Sequence, residues 1–384
     1  MKPKIEIKLK KENVTVGILG GHIEEGGSKY NVLNSCIKSL MKAFQLAGVK
    51  VYSVKECIEK SIPMHFTIGL NGSDYNLWGK LLEAKLPVIM WNVDSIFYQN
   101  MQGLDQHGEN PYFTLLTVTP CDKEALSEYY PTLQHAYMPG AIDLDFWKKQ
   151  NCAKDIDIVY FSSLFDYEQR LLEIKNRVEP AFFDLMMEIY EMALANPKVS
   201  FWEITKIIEN NRGARFNKYG YHSIFRDLIY IIDYAKRIAL VQSLSKFNLK
   251  IYGDAVWQKY ISGNIEYMGQ VDYYDSVNIM NRAKIVLHSQ PRQLCLGINE
   301  RVMNASAIET FTLASDVKTL ETHFGDNLGY YNSTTFEDIG DKVNYFLTHE
   351  DERISKAKNA RKIVEENHTI THRAAKIISM LGIK

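Results

Sequence analysis

Cysteine is scarce in this chain, and neither sign of charge is in excess. Five cysteines are scattered through 384 residues without a CxxC spacing, which predicts free thiols in a reducing cytoplasm rather than a disulfide framework or a zinc site. Lys and Arg number 45 and Asp and Glu number 46, so the net charge is −1. Proteins that bind nucleic acid usually carry a basic excess. We therefore expect no nucleic-acid partner, although a local basic pocket for phosphate is compatible with this balance.

Long apolar runs are also missing. No stretch approaches the roughly 18 uninterrupted apolar residues of a membrane-spanning helix, and even LIYIIDYAKRIAL is broken by Asp233 and Lys236. The amino-terminal MKPKIEIKLKKENVTV is basic but has no apolar core of the length of a signal peptide. We expect a soluble cytoplasmic protein without a transmembrane segment. The P-loop GxxxxGK[ST], the GxSxG elbow and HExxH are absent, so kinase, hydrolase and zinc-protease functions have no support.

Metal-ligand patterns are limited to two DxD strings, Asp143-Leu144-Asp145 and Asp155-Ile156-Asp157. The first falls in a presumed linker. The second falls at the start of a predicted strand, whereas α/β sheets bind ligands at the carboxyl ends of their strands. No group of His and Cys has ligand spacing. We predict no metal ion and no resident cofactor.

What the chain does contain is a repeated alternation of strands and helices. The first half has predicted strands at 14–19, 49–52, 65–70, 87–91 and 113–117, with helices at 34–47, 74–84 and 123–129. The second half has predicted strands at 157–161, 249–253, 265–267, 283–287 and 310–313, and closing helices at 352–366 and 371–381. Such an alternation predicts parallel, doubly wound α/β sheets.

The length and the pauses in this alternation predict two domains. A chain of 384 residues suits two domains of about 150–200 residues each. The pattern pauses at 139–154, where we place the linker. After the first strand of the second half comes a helix-rich segment at 167–245, in which apolar residues at spacings of three and four predict one buried helix face. These residues are Ile224, Leu228, Ile231, Ala235 and Ile238.

Several strings of the second half resemble a known family. They are IYGDAVW, YMGQV at 267–271 and VDYYDSVNIMNRAKIVLHSQPRQLCLGINERVMNASAIETFTLASD. This region is similar to the carboxyl-terminal domain of CgeB-like glycosyltransferases of the GT-B class. KDIDIVYFSSL resembles the opening of that domain, and LTHEDER and NHTITHR resemble its closing signatures. The likeness is strong from about 246 to 375 and weaker before 150, where LPVIMWNVD and MPGAID carry it.

The resemblance implies a GT-B fold, in which two Rossmann-like lobes face each other across a cleft. The amino-terminal lobe, 1–145, would bind the acceptor and be completed by the helix 371–384. The carboxyl-terminal lobe, 154–370, would bind a nucleotide-diphosphate sugar, with 167–245 as an insertion. The expected reaction is metal-independent transfer of the sugar to an acceptor hydroxyl on a glycan, a protein or a small molecule. A sugar-nucleotide epimerase and a non-catalytic sugar or nucleotide binder are the alternatives.

The residues around the start of the helix after 297 are the first donor-site candidates. Asn299 belongs to a Gly- and Asn-rich loop that would expose backbone N–H groups to phosphate, and Arg301 could add a bidentate guanidinium. The family usually reads Arg-x-Phe-Glu-Ala here, and its Glu lies where related enzymes bind ribose. Asn304 stands in its place, and Glu309 is a candidate for the missing carboxylate. The structural alternative is a solvated helix start with Arg301 in a surface ion pair.

Five more donor-binding candidates lie elsewhere in the second half. Arg237 occupies a place where the family carries Arg, with a snorkelling helix residue as the alternative. Gly253 and Asp254 end a strand, where a glycine would let backbone approach the nucleotide or would simply form a turn. Tyr273 could stack on the base or pack in the core. His288 leaves a strand at its carboxyl end and could face the cleft or be structural.

In the first half, Gly20, Gly21 and His22 follow the first predicted strand directly. GT-B acceptor lobes commonly keep a glycine-rich turn at this position, and we include both glycines among the donor-binding candidates. The ordinary pKa of histidine, near 6.5, suits His22 as the base that deprotonates the acceptor. Asp94 ends another strand and is the second candidate base, with a helix N-cap as its structural alternative.

Overall fold

The computed structural model describes residues 6–20, 32–71, 75–99 and 101–384. Gly21 and His22 lie outside the described residues. The chain divides into two compact units: unit 1 comprises 1–143 and 367–384, and unit 2 comprises 144–366. The chain therefore passes between the units twice, once after Asp143 and once after Glu366.

Unit 1 contains one parallel sheet of six strands within its described residues, in the order β2-β1-β3-β4-β5-β6. The strands are β1 (Thr15–Ile18), β2 (Lys50–Ser53), β3 (Phe66–Leu70), β4 (Val88–Asn92), β5 (Phe113–Thr117) and β6 (His135–Tyr137). The helices are α1 (Val32–Leu46), α2 (Val54–Glu59), α3 (Tyr75–Glu83), α4 (Gln102–His107), α5 (Asp122–Tyr129) and the chain's last helix, α15 (Ile370–Met380). Every residue of β3 and β4 is buried, because helices cover both faces of a parallel sheet.

Unit 2 contains a second parallel sheet of six strands, in the order β12-β11-β10-β7-β8-β9. The strands are β7 (Ile156–Ser162), β8 (Leu249–Gly253), β9 (Ile265–Tyr267), β10 (Ala283–His288), β11 (Phe311–Ser315) and β12 (Gly329–Tyr331). Read from β9, this is the 3-2-1-4-5-6 order of a dinucleotide-type Rossmann sheet. Beyond the insertion, the helices are α10 (Tyr273–Arg282), α11 (Glu300–Ala307), α12 (Lys318–Phe324), α13 (Ile339–Thr348) and α14 (Glu350–Asn367).

Four helices form the insertion between β7 and β8. They are α6 (Tyr167–Arg177), α7 (Pro180–Ala195), α8 (Phe201–Arg212) and α9 (Lys218–Ser243). Local sequence explains their starts: Asp166 and Asn217 cap α6 and α9, and Ser200 forms a capping box with Glu203. The predicted apolar face of α9 is confirmed for four of its five residues: Ile224, Leu228, Ile231 and Ile238 are buried, whereas Ala235 is part-buried.

Arg373 fixes the segments at which the chain passes between the units. Its guanidinium donates to the carbonyls of Pro139 (2.9 Å) and Gly140 (3.0 Å) on one segment and of Asn367 (2.9 Å) on the other. A parallel bridge between Ile142 and Thr369 joins the same two segments. The final helix α15 then packs against α1 within unit 1.

The predicted fold class is confirmed: the protein is α/β, with two parallel Rossmann-like sheets. Sequence patterns missed β6 and β12, which have three residues each and too few apolar side chains for a detectable period. They also missed α2, α4, α10, α12 and α13. Within the described part of the chain, no helix combines the length and apolar character needed to cross a bilayer.

Candidate functional site

The sheet of unit 2 reverses its strand order between β7 and β10, and such a reversal opens a crevice at the carboxyl ends of the strands. His288 ends β10 at this point and is 2% exposed. Its Nε2 lies 3.0 Å from Oε1 of Gln290. Burial, together with the charges of Arg301 and Arg237, lowers the pKa of His288 to about 3. His288 is therefore neutral near pH 7 at the edge of the crevice, and its role in donor binding stays a prediction.

Arg301 reaches the carboxyl end of β7 from the first turn of α11. Asn299 caps that helix by accepting a hydrogen bond from the Arg301 backbone N–H at 2.9 Å, which explains the Asn before the helix. The guanidinium donates to the carbonyl of Phe161 and lies 5.9 Å from the centre of its ring. Burial lowers the pKa of this guanidinium. Arg301 and the N–H groups of the first turn of α11 thus share one end of the sheet.

Arg237 comes to the same end of β7 from α9. It donates to the carbonyl of Ser163 at 3.0 Å and lies 3.7 Å from a carboxylate oxygen of Asp233, one turn earlier. Its side chain is 12% exposed. The structure therefore brings Arg237, Arg301 and His288 together at the switch point, and two of the three carry positive charge.

Asn304 is 3% exposed, and its side-chain oxygen has no hydrogen-bond partner among the described residues. A buried acceptor without a donor costs roughly 1–3 kcal/mol. Asn304 follows Arg301 by one turn, but this burial separates its amide from solvent. A ribose contact would require the surrounding side chains to move.

Gly253 and Asp254 have structural partners at the end of β8. A Cβ atom on Gly253 would lie 1.9 Å from the carbonyl oxygen of Ser162, so the close approach of two strands already requires glycine. Asp254 accepts hydrogen bonds from the Leu164 backbone N–H and from the Gln270 amide, both at 2.9 Å. These contacts fix the loops around the crevice, whether or not a ligand touches either residue.

Tyr273 starts α10 and packs in an aromatic cluster. Its ring stacks on Phe146 with 5.6 Å between centroids and 12° between planes, and its hydroxyl accepts a hydrogen bond from Trp147 at 3.1 Å. These contacts attach the segment after Asp143 to unit 2. One face of the Tyr273 ring is therefore taken by Phe146, and stacking on a base stays a prediction.

Glu309 does not lie beside Arg301, which corrects the idea that it replaces the missing carboxylate. Because α11 ends at Ala307, Glu309 follows its last turn, at the opposite end from Asn299. The carboxylate pairs with Lys149 at 2.6 Å and lies 3.8 Å from Arg361. The sequence could not show this, because no pattern in it fixes where α11 ends.

In unit 1, Gly20 and Asp94 follow strands at the carboxyl edge of the sheet. Gly20 adopts a positive φ of 83°, which favours glycine after β1. Asp94 accepts a hydrogen bond from the Asn71 amide at 3.2 Å, and the Asn71 oxygen accepts from the Val93 N–H at 2.8 Å. The N-cap of the following 3₁₀ helix is Ser95, so Asp94 does not serve as the cap.

Asp122 supports the loop that carries Asp94. Its carboxylate accepts hydrogen bonds from the Ser95 hydroxyl at 2.7 Å and from the Ile96 N–H at 3.2 Å. Burial raises the pKa of Asp122 to about 7, and the two hydrogen bonds oppose this rise. Sequence inspection missed Asp122 because nothing in PCDKE marks it as more than a charged helix start.

The DxD carboxylates are engaged in contacts within the protein. Asp155 pairs with Arg282, and Asp157 with Lys284 at 2.7 Å, both near the start of β7. Asp143 accepts a hydrogen bond from Ser39 at 2.6 Å. Over the described ranges, no three His, Cys, Asp or Glu side chains cluster in a way that could hold a metal ion.

Comparison with solved structures defines the class of fold. Sucrose-phosphate synthase from Thermosynechococcus elongatus aligns over 96% of this chain and 99% of its own, at 10% identity and a TM-score of 0.55. T4 phage β-glucosyltransferase aligns over 96% of this chain and 100% of its own, at 11% identity and a TM-score of 0.55. Anabaena HepE, in complex with UDP and glucose, aligns over 96% of this chain and 99% of its own, at 9% identity and a TM-score of 0.53. The chain has the fold of the GT-B glycosyltransferases.

The family comparison is narrower. Residues 236–379 match a family model described as glycosyl transferase-like, so this part of the chain is similar to that family. The match runs from the end of α9 to α15 and includes both Arg237 and Arg301. Comparison with curated proteins finds no match.

Proposed function

We propose that this protein is a metal-independent, CgeB-like glycosyltransferase that moves a sugar from a nucleotide-diphosphate donor to an acceptor hydroxyl. The observation that carries the proposal is the convergence of Arg301, Arg237 and the start of α11 on the switch point of unit 2. The family match over 236–379 and the shared GT-B fold support the same reaction.

This arrangement suits a diphosphate leaving group. When the bond between the anomeric carbon and the diphosphate oxygen breaks, negative charge develops on that oxygen. Two guanidinium groups and the N–H groups of a helix start stabilise such charge without a metal. Arg301 and Arg237 each donate to a neutral carbonyl through one guanidinium nitrogen, and an incoming phosphate would accept charge-assisted bonds from their other N–H groups.

Unit 1 supplies the candidate base in this proposal. Asp94 or His22 takes the proton of the acceptor hydroxyl while the hydroxyl oxygen bonds to the anomeric carbon of the sugar. The Asn71 amide orients the Asp94 carboxylate through its 3.2 Å hydrogen bond. Gly20 and Gly21 stay donor-binding candidates in this proposal. The acceptor hydroxyl in this proposal belongs to a glycan, a protein or a small molecule.

The comparisons suggest a uridine nucleotide as the first donor to test. HepE is in complex with UDP and glucose, and a β-glucosyltransferase structure was determined with and without uridine diphosphoglucose. We propose UDP-sugar as donor, no resident cofactor, and a cytoplasmic location. The location is supported by five free cysteines, of which Cys57 and Cys295 are buried.

Calorimetric titration with UDP-, GDP-, ADP- and CMP-sugars tests the proposal, followed by turnover assays with and without acceptors. We expect one nucleotide class to bind and its sugar to be transferred at an unchanged rate in EDTA. A rate that collapses on chelation and returns with Mn²⁺ or Mg²⁺ would overturn the metal-independent mechanism. Conversion of the donor without an acceptor would identify an epimerase instead.

A non-catalytic nucleotide binder is the second candidate, because Asn304 stands where the family carries Glu and is buried. Tight binding of a sugar nucleotide with neither hydrolysis nor transfer would favour it. Substitution of Asn304 by Glu distinguishes the two, since a lost carboxylate would then be restored. A gain of turnover in Asn304→Glu would indicate that activity has been lost in this chain.

A further inference from the structure

Helix α9 presents Asp233, Lys236 and Arg237 on one face, because residues three and four apart on a helix are neighbours. Arg237 is bound to the carbonyl of Ser163, directly after β7, and Asp233 accepts the backbone N–H of Arg292 at 2.7 Å, shortly after β10. The two neighbours therefore place Lys236 beside the carboxyl edge of the sheet. Lys236 itself is half-buried.

The Lys236 ammonium makes no hydrogen bond or ion pair among the described residues. The acids around it are already engaged. Asp316, which follows β11, accepts from the Ser333 hydroxyl at 2.7 Å and pairs with Lys198 of the turn between α7 and α8. Asp233 lies 3.7 Å from the Arg237 guanidinium and accepts a hydrogen bond from the Arg292 backbone N–H. Within the described residues, no carboxylate therefore lies at ion-pair distance from the Lys236 ammonium.

The charges near Lys236 come from four elements. Arg292 follows β10 and directs its guanidinium to the carbonyl of Asn196 at 2.9 Å. Asp233 and Arg237 lie on α9, Asp316 follows β11, and Lys198 lies in the turn after α7. Burial first, and then the charge of Arg292, lower the pKa of Lys236 to about 8, while Asp233 and Asp316 act in the opposite direction.

A partly desolvated ammonium without a partner is costly, and an anion supplied from outside would offset that cost. We propose that Lys236 is a further donor-binding residue, which contacts an anionic group of the sugar nucleotide: either the phosphate next to the sugar or an acid group on the sugar itself. The inference rests on the proposed function. It also gives the helical insertion a role, since α9 delivers this cation to the donor site.

Calorimetry with UMP, UDP, UDP-glucose and UDP-glucuronate separates the two sources of the anion. We expect Lys236→Met to weaken binding roughly tenfold, the loss of one charge-assisted contact. A loss shared by UDP and both UDP-sugars, but not UMP, identifies the phosphate. A loss confined to UDP-glucuronate identifies an acid on the sugar. Lys246→Met is the matched control, because Lys246 is exposed and precedes the amino end of β8.

The pH dependence of donor binding distinguishes a direct contact by Lys236 from a merely structural role of this residue. A pKa of about 8 leaves Lys236 mostly charged at pH 7 and mostly neutral at pH 9. Because the charged side chain contributes about tenfold to binding, wild-type affinity should fall roughly fivefold between these pH values. Lys236→Arg stays charged at both values and should lose much less affinity over that interval. Titration of the uracil ring affects both proteins equally and cancels in the comparison.

The outcomes are distinguishable from failure of the proposed function. If the wild type binds none of the four nucleotides, the proposed UDP-sugar donor is wrong, and this inference, which rests on it, falls with it. If the wild type binds them and a folded Lys236→Met protein binds each of the four as tightly as the wild type does, only the proposed role of Lys236 is wrong. Parallel pH profiles for wild type and Lys236→Arg would also overturn it.

Discussion

Single residues at the carboxyl edge of unit 2 serve the fold and the proposed site together. Arg301 and Arg237 donate to carbonyls of Phe161 and Ser163, so both side chains are oriented before any ligand arrives. Such preorganisation lowers the entropic cost of binding. Gly253 differs, because contact with β7 fully accounts for it. A glycine at a strand end is therefore weaker support for a ligand site than an oriented arginine.

Gly253→Ala should destabilise the protein. The added Cβ would meet the Ser162 carbonyl oxygen at 1.9 Å, and relieving such an overlap costs about 1–3 kcal/mol. In a domain of this size that lowers the melting temperature by several degrees. Gly220→Ala is the control, because a Cβ there has no neighbour closer than 3.6 Å and helical alanine is favoured over glycine. Equal melting temperatures for the two variants would contradict the packing explanation.

At the scale of secondary-structure elements, α9 is the last helix of an insertion and also a wall of the proposed donor site. Its apolar period was readable from sequence, and burial confirms it. Apart from Arg237, its polar residues were not predicted to have a function, because Asp233 and Lys236 read only as interruptions of an apolar run. Charges inside an otherwise buried helix face were the signal that could have found them. The function of such charges depends on β10 and β11, whose positions no local pattern encodes.

Asp122 shows how one element positions another, since it ties α5 to the loop after β4. Its folded pKa of about 7 exceeds the roughly 4 of an unfolded aspartate. Between those values the folded state binds the extra proton, so this carboxyl's contribution to stability falls as pH rises, by at most about 1.4 kcal/mol per pH unit.

Asp122→Asn cannot titrate and should lack this slope. We expect the stability of wild type relative to Asp122→Asn to be greater at pH 5 than at pH 8, as measured by urea unfolding. Glu124→Gln, on an exposed neighbour in α5, should show no such trend. A difference between wild type and Asp122→Asn that is constant across this range would show that Asp122 is not a buried acid with a raised pKa.

At the scale of the whole molecule, the alternation of strands and helices was sufficient to predict two α/β halves, because buried parallel strands are long apolar runs. Three-residue strands such as β6 and β12 escaped because pairing with a neighbour stabilises them. The proposed site was only partly predictable. The Asn-capped start of α11 is a local pattern, whereas the partners of Glu309 and Tyr273 come from distant segments.

Arg373 should contribute strongly to the stability of unit 1. It joins Pro139 and Gly140 to Asn367 through one buried and two part-buried hydrogen bonds, and burial lowers its pKa to about 10. Arg373→Ala removes the donor from the buried Pro139 carbonyl and from the carbonyls of Gly140 and Asn367, and we expect a loss of about 2–4 kcal/mol in chemical unfolding. The exposed neighbour Lys376 provides the control, Lys376→Ala. If Arg373→Ala lowers the free energy of unfolding no more than Lys376→Ala does, Arg373 does not stabilise unit 1 by joining these two segments.

The measurement that tests the central claim most directly is donor binding by Arg301 variants. Loss of a charged phosphate contact costs about 1.5–3 kcal/mol, so Arg301→Ala should weaken the dissociation constant for the sugar nucleotide roughly ten- to a hundredfold. Arg301→Lys should recover part of this, because an ammonium keeps the charge but not the fork. Asn304→Ala should have a smaller effect than Arg301→Ala.

Arg282→Ala is the matched control, since Arg282 pairs with Asp155 at the amino end of β7, away from the proposed site. All variants are first checked by thermal melting and then titrated calorimetrically with the donor that the wild type binds. The account predicts wild-type affinity for Arg282→Ala and a large loss for Arg301→Ala. A folded Arg301→Ala protein that binds the donor as tightly as the wild type would contradict it.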